Sequence, residues 1–546
     1  MKLNKNCISL FLFCLVLYGT FSGLIPLLDP DEPVYGETAK EMLSTGDWLS
    51  PRIYGEFWYD KPPLFYWLES ISFTLFGVST TSARLPSILM GALLSPYLYL
   101  SMRKLLGEKA ALYGAFISAS SLEIIVLARS SVTDATLTFT LTVALISFLR
   151  KEYIPAYIFC GLSLLAKGPI GFGFPALIVG LWMIFRGSFT FKNIMALGWT
   201  WGIPLACLVG LPWYLAMGMI HGDAFIDTFL GYHNVTRFIS PEHAGQNHYW
   251  LYLVVLIAGF YPWTGTLPGI LRRLRKWRSD PVLFYLIVWA LFIFLFFTLS
   301  STQLFSYILP MFPPLSLLAG KYLTEIREAG HVSKSLIGFH LFFALTTAIA
   351  ISLAPLTPAG GAAIKYGISL FMILSALFSV RMLSKGRMRG FLCSQACLIL
   401  LFVTSVWGLF AAPVSSLFTS KAIAETLSET EKAPELPVYI DTFYRPSVAF
   451  YTGIYGKALP EFNERKREET AKNEADGVLL PGKDNALTLP DHAYILVQKK
   501  IYDHWPEKLK AEARLLWEKD TAVFLVRHAE PRGAAVSNIV RSVRHV

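Results

Sequence analysis

The chain is dominated by apolar runs of about 20 residues, the length a helix needs to cross a hydrocarbon core roughly 30 Å thick. They recur from the N-terminus to about residue 411. Inside a bilayer the backbone must satisfy its own polar groups, so such runs fold as helices. Charged residues make up only 16% of the 546, and the mean hydropathy is +0.48. A soluble protein of this length would carry far more charged surface. About thirteen crossings are predicted by length and hydropathy. They lie near 7–27, 83–102, 109–128, 133–149, 153–167, 169–186, 194–219, 249–271, 281–299, 304–323, 335–354, 362–382 and 390–411.

The net charge of +10 does not indicate nucleic-acid binding, because the basic residues lie between apolar runs rather than on one soluble domain. Arg103 and Lys104, Arg150 and Lys151, Arg186 and Lys192, the cluster Arg272 to Arg278, Arg327 and Lys334, and Lys385 to Arg389 occupy alternate connections. By the positive-inside rule these face the cytoplasm. Residues 28–82, the turn Arg129 to Asp134, Lys167, residues 220–248, Ser300 to Gln303 and the C-terminal tail then share the opposite face. Lys2 and Lys5 precede an apolar run with no small-residue cleavage site after it, which predicts an uncleaved first span and a cytoplasmic N-terminus. The six cysteines show no metal or redox pattern, and Cys393 and Cys397 read as buried small hydrophobes on one helix face.

After Pro413 the composition becomes that of a soluble domain. Residues 437–440, 493–497 and 522–526 read as strands and 503–517 as a helix, giving a small α/β domain over 413–546 beside a membrane domain over 1–412. The fold class expected is therefore mainly α: a multi-pass transmembrane bundle with a small extracytoplasmic α/β domain.

Chemistry concentrates on the outer face. The first outer loop, residues 28–82, is too long for a bare connection and predicts juxtamembrane helices. Pro33 can start one, with Tyr35, Ala39, Met42 and Leu43 as its apolar stripe along the membrane surface and Asp31 and Glu32 at its favoured anionic end. Asp31 can equally serve as a helix cap. Asp60 and Lys61 stand between aromatic residues and two prolines, where the lysine can meet a phosphate and the acid a metal, or the two can form a surface ion pair. Asp134, Lys167, His233 and Arg237 complete the set; the last two are four residues apart and share a face if helical. An imidazole can ligate a divalent cation and a guanidinium can clamp phosphate.

The segments DPDEPVYGETAKEMLSTGDW (29–48), YDKPPLFYWL (59–68), ARLPS (83–87), ARSSVTDATLTF (128–139), LLAKGPIGF (164–172), YHNVTRF (232–238), GFYPW (259–263) and SYILPMFPPLSLLAG (306–320) follow in order. This series resembles the polyprenyl-phosphate-sugar-dependent glycosyltransferases of the GT-C class. Within them it is similar to the branch holding the 4-amino-4-deoxy-L-arabinose lipid A transferases and the related protein O-mannosyltransferases. The resemblance covers roughly residues 8–320 and implies an outward-opening site in the bacterial inner membrane, with the C-terminal domain in the periplasm. It implies a sugar donor on undecaprenyl phosphate or a similar carrier, and lipid A or a protein as acceptor. Asp31, Glu32 and Asp134 match the family's acids near the reaction. Lys61, Arg237, Arg84 and Lys167 match its basic residues, with the carrier phosphate as their ligand. His233 matches a histidine near a bound divalent metal ion (Zn or Mg/Mn), with Asp60 as the candidate second ligand. Val34, Asp60 and Gln303 depart from the pattern, at positions where relatives often have a basic residue, a glutamate and a lysine. A lipid-linked substrate transporter is the alternative reading, but the chain shows no repeated halves and no paired broken helices.

Overall fold

The computed structural model describes residues 4–229, 231, 248–330, 332, 334–353, 361–409, 419–421, 424–425, 437–440, 446–458, 493–518 and 522–527. They fall into two compact units, Met1–Ser420 and Lys421–Val546.

The first unit is helical. Helix α1 (Lys5–Gly19) is followed by a long connection, which holds α2 (Asp31–Thr45), a short hairpin (Arg52–Ile53 with Glu56–Phe57) and α3 (Leu64–Phe76). Then come α4 (Thr80–Leu106), α5 (Glu108–Ser120), α6 (Leu122–Ala128), α7 (Asp134–Leu149), α8 (Tyr153–Lys167), α9 (Ile170–Phe185), α10 (Phe191–Ala196) and α11 (Trp199–Phe225). The series ends with α12 (Leu251–Gly259), α13 (Leu267–Trp277), α14 (Pro281–Thr298), α15 (Phe312–Ala329), α16 (Lys334–Leu353), α17 (Ala362–Ser384) and α18 (Met388–Leu409).

Local chemistry sets many of the boundaries. Ser79 and Ser82 form a reciprocal capping box at the start of α4, and Asp280 accepts from the Val282 and Leu283 N–H groups ahead of Pro281. Gly168, at φ 85°, ends α8 in a conformation that favours glycine, and Pro169 opens α9. This is the tight turn expected at Lys167.

Among the described residues, six helices are long and apolar enough to cross a membrane, and two bent pairs bring the number to eight. The protein is a multi-pass membrane protein. The expected crossing at 109–128 breaks at Ser121 by 57°, because the Leu122 N–H leaves its helix for the Tyr261 carbonyl at 3.0 Å. The crossing expected at 249–271 bends by 108°, around Pro262, which has no N–H to continue a helix. The segment expected to begin a crossing at 304 opens instead with a tight 3-10 turn, Phe305–Met311. Cys393 and Cys397 are exposed on the outer face of α18 rather than buried.

Small residues bring helices together where apolar burial gives no net drive. At the crossing of α5 and α15, a Cβ on Gly320 would lie 2.4 Å from the Ala110 carbonyl and the Gly114 nitrogen. The backbones therefore touch, and no side chain fits between them.

Several of the basic connections are tied to neighbouring elements by hydrogen bonds. Asn4 donates to Tyr99, Tyr99 to Glu108, and Arg327 to Tyr113. Arg273 and Trp277 both donate to Glu325, and Arg186 reaches the Ser279 carbonyl.

In the second unit the strand order is β4-β3-β5-β7-β6, with β3 Val438–Ile440, β4 Gly456–Ala458, β5 Ala493–Gln498, β6 Arg514–Glu518 and β7 Ala522–Arg527. Strand β3 pairs in parallel with β4 and β5, whereas β5, β7 and β6 are antiparallel. Ile495, Val497, Trp505, Leu509, Val523 and Leu525 form its core. The helix expected over 503–517 is reduced to one turn, Glu507–Lys510, which follows Pro506 and gives way to β6, paired with β7.

Candidate active site

Helix α2 begins at Asp31 itself. Its preceding residue, Pro30, makes no side-chain cap bond, so Asp31 is the first helical residue and not the cap. Nor does α2 lie bare on the membrane surface. Glu32 to Ala39 are all buried, and Ser70 of α3 donates to the Ala39 carbonyl at 3.1 Å.

Asp31 is solvent-accessible yet surrounded by enough protein to be partly desolvated. That desolvation pushes its carboxyl above the ordinary aspartate range; the charge of Asp134 adds to the effect, Lys61 opposes it, and Asp60 and Glu32 add further. Three parts of the chain therefore act on one carboxyl. Tyr35, one turn beyond Asp31, has its hydroxyl pushed well up by burial, with Tyr66, Asp60, Asp134 and Asp31 contributing. The apolar-stripe reading of Tyr35 missed this. Its i, i+4 spacing from Asp31 was the available signal.

Around Asp31 the charges come in pairs. Lys61 Nζ donates to Asp60 Oδ1 at 2.8 Å, both side chains partly exposed. Lys167 Nζ donates to Asp134 Oδ1 at 2.5 Å, and Thr133 Oγ1 donates to the Ala166 carbonyl at 2.8 Å. These two bonds tie the start of α7 to the end of α8. Lys167 also lies 4.8 Å from the centre of the Tyr307 ring, within cation–π reach. Tyr307 was legible only as part of a motif.

Glu32 and Arg84 require a correction. Assigned to catalysis and to the carrier phosphate, they instead form a buried bidentate pair: Nε to Oε1 at 2.8 Å and Nη2 to Oε2 at 2.6 Å. Arg84 further donates to the carbonyls of Ser22, Ile25 and Pro26. A guanidinium has five N–H donors, and all five are engaged, leaving none for phosphate. Glu32 in turn accepts from the Leu28 and Ser131 N–H groups at 2.8 and 2.7 Å. It therefore joins the loop bearing Asp31 to the turn bearing Asp134. Ser131 also donates its hydroxyl to Glu69 on α3. Burial pushes the Glu69 carboxyl well up, opposed by Ser131 and reinforced by Glu32. Arg129 has a similar structural role, donating to the carbonyls of Leu17, Tyr18 and Thr20 at the C-terminal end of α1.

Gln303 is buried and accepts from the His248 N–H at 3.1 Å. His233 and Arg237 lie outside the described residues. Among the described residues no group of three His, Cys, Asp or Glu side chains could hold a metal ion, and Asp60 is engaged by Lys61. The described side chains do not by themselves form a metal site.

A family model described as dolichyl-phosphate-mannose-protein mannosyltransferase matches residues 60–214. An undecaprenyl phosphate-alpha-4-amino-4-deoxy-L-arabinose arabinosyl transferase from Pectobacterium carotovorum is 30% identical over 421 residues, 72% of this chain and 74% of the relative. A relative of the same description from Proteus mirabilis is 24% identical over 94% of this chain and 93% of its own. Others of that description are matched over 56% to 64% of their length. The crystal structure of ArnT from Cupriavidus metallidurans bound to undecaprenyl phosphate has the same fold, with a TM-score of 0.75 at 20% identity, covering 95% of this chain and 97% of that one. Extended identity to the curated relatives, joined to this shared architecture, shows that the chain belongs to the undecaprenyl phosphate-α-4-amino-4-deoxy-L-arabinose arabinosyl transferase family of membrane glycosyltransferases.

Proposed function

We propose that this protein moves a sugar from an undecaprenyl-phosphate carrier to lipid A, in the manner its relatives' names describe, at the outer face of the bacterial inner membrane. The observation that carries the reading is the convergence of Asp31, the Asp60–Lys61 pair and the Asp134–Lys167 pair at one site. The carrier phosphate is the leaving group. Lys61 stabilises the charge that develops on it, and Arg237, outside the described residues, is proposed to join it. Asp31, with its raised carboxyl, takes the proton of an acceptor hydroxyl or orients an acceptor already ionised. Asp134 and Lys167 supply a second ion pair at the site. Asp60 with His233 is the proposed place for a divalent cation, and loss of transfer on chelation, restored by one metal, tests it.

The topology proposed with this function has thirteen crossings. The shorter apolar helices α1, α7, α8 and α9, with α15 after its 3-10 turn, complete the count, the N-terminus is cytoplasmic, and the Lys421–Val546 unit is an α/β domain in the periplasm. A protein acceptor is the second reading, favoured by the mannosyltransferase family model over residues 60–214.

Transfer of labelled sugar from a synthetic undecaprenyl-phosphate donor to lipid A or to peptide, by purified protein, decides between the acceptors. Asp31→Asn lowers turnover by about 10²–10⁴-fold while thermal unfolding is unchanged; normal turnover rejects Asp31 as the base. Lys61→Ala raises KM for the lipid donor about 10- to 100-fold.

A further inference from the structure

Helix α6 reads LEIIVLA, an apolar stretch broken by one acid, Glu123. An ionisable side chain inside such a segment is costly to hold and calls for a partner. Glu123 is 7% exposed, and its Oε1 has no hydrogen-bond partner among the described residues. An acid in the first turn of a helix can bond the free N–H groups there. This oxygen bonds none of them. Nor does the transfer chemistry proposed above use Glu123.

The packing around α6 makes room for the carboxyl and turns it toward the site. The Leu122 N–H bonds the Tyr261 carbonyl at 3.0 Å, which brings α6 beside the end of α12. There Gly259 leaves a space. An added Cβ would lie 2.8 Å from Glu123 Cβ, 2.9 Å from its Oε2 and 3.1 Å from the Phe312 ring. Tyr252, Val255 and Gly259 are the buried residues of α12, at i, i+3 and i+7, and so share one face. Tyr252 donates to the Leu304 carbonyl at 3.1 Å and lies within electrostatic reach of Tyr307 and Asp134. Glu123 is itself within reach of the Asp134 charge. It therefore stands beside the group that holds Asp134, Lys167 and Tyr307. Lys167 is already bonded to Asp134, so that pair is balanced and Glu123 is an additional acid.

A carboxyl lacking a partner at the edge of a sugar site complements a cation, and a sugar ring carries positive charge at neutral pH through an amine. The relatives are named for a 4-amino sugar. We propose that Glu123 receives the protonated amine of an aminosugar donor and so selects it over the neutral sugar. The inference rests on the donor reading above and adds the class of sugar to it. A charge-assisted hydrogen bond from the ammonium gives the carboxylate the partner that the protein does not supply. Glu123 is then a specificity-determining residue, and the transfer step remains with Asp31 and Lys61.

Binding of two synthetic donors to the full chain in detergent tests it: undecaprenyl phosphate-4-amino-4-deoxy-L-arabinose and its uncharged 4-hydroxy counterpart. Transfer of each to lipid A is measured alongside. Wild type is expected to bind the amino donor about 10- to 100-fold more tightly. Glu123→Gln is expected to lose that preference through weaker binding of the amino donor. Glu123→Gln and Glu123→Leu are both expected to unfold at or above the wild-type temperature, since an unpartnered carboxyl has no bond to lose. Equal binding of the two donors by wild type, a preference kept in Glu123→Gln, or equal weakening of both donors overturns the assignment. A marked loss of stability in both variants makes the residue structural and also overturns it. Absence of transfer to lipid A with the binding preference intact rejects the acceptor reading and supports Glu123, whereas transfer without any preference rejects Glu123 and supports that reading.

Discussion

At the scale of the residue, the site depends on how Asp31 is charged. Its carboxyl is raised by desolvation first and by Asp134 second, and Lys61 pulls the other way. A base must be ionised, so the acid limb of kcat/KM follows this carboxyl and falls off at higher pH than an ordinary aspartate would give. Removing the Asp134 charge lowers the Asp31 pKa, so Asp134→Asn shifts the acid limb of its residual activity to lower pH. Removing Lys61 raises it, so Lys61→Ala shifts the limb to higher pH. Profiles that do not move in these opposite directions reject the electrostatic assignment.

At the scale of the element, the Glu32–Arg84 pair acts as the fastening of the site. Glu32 binds Arg84 and the Ser131 backbone, while Arg84 holds three carbonyls after α1. The elements bearing Asp31 and Asp134 are thereby held in register, although neither Glu32 nor Arg84 has a group left to meet substrate. Breaking a buried pair strands a charge, at a cost of about 3–5 kcal/mol. Arg84→Met is expected to lower the thermal unfolding temperature strongly, and Arg84→Met/Glu32→Leu to recover part of the loss. A single variant as stable as wild type argues that the fastening lies elsewhere.

At the scale of the whole molecule, the proposed topology separates two sets of charges. The basic connections join through Tyr99, Glu108, Tyr113, Arg327 and Glu325, and the paired acids and lysines gather around Asp31. Impermeant thiol labelling of Lys61→Cys and Lys151→Cys, each in a background lacking native cysteines, should mark position 61 from outside and position 151 from the cytoplasm. Labelling of both from one side removes the proposed topology.

The apolar runs determined by themselves that the chain crosses a membrane many times, because a backbone in hydrocarbon has almost no alternative to the helix. Isolated charges at a membrane edge are costly and conspicuous, which made Asp31, Lys61, Asp134 and Lys167 candidates, and the ordered motifs of the family resemblance singled them out. Only the tertiary structure decided what each charge does. Glu32 beside Asp31 and Arg84 after Ser82 look equally reactive as letters, and burial with a full complement of hydrogen bonds makes them structural. The 108° turn before α13 was likewise invisible, because apolar composition measures length and not direction. Local sequence sets which groups are available, whereas the distant partners that desolvate or satisfy them are set by packing.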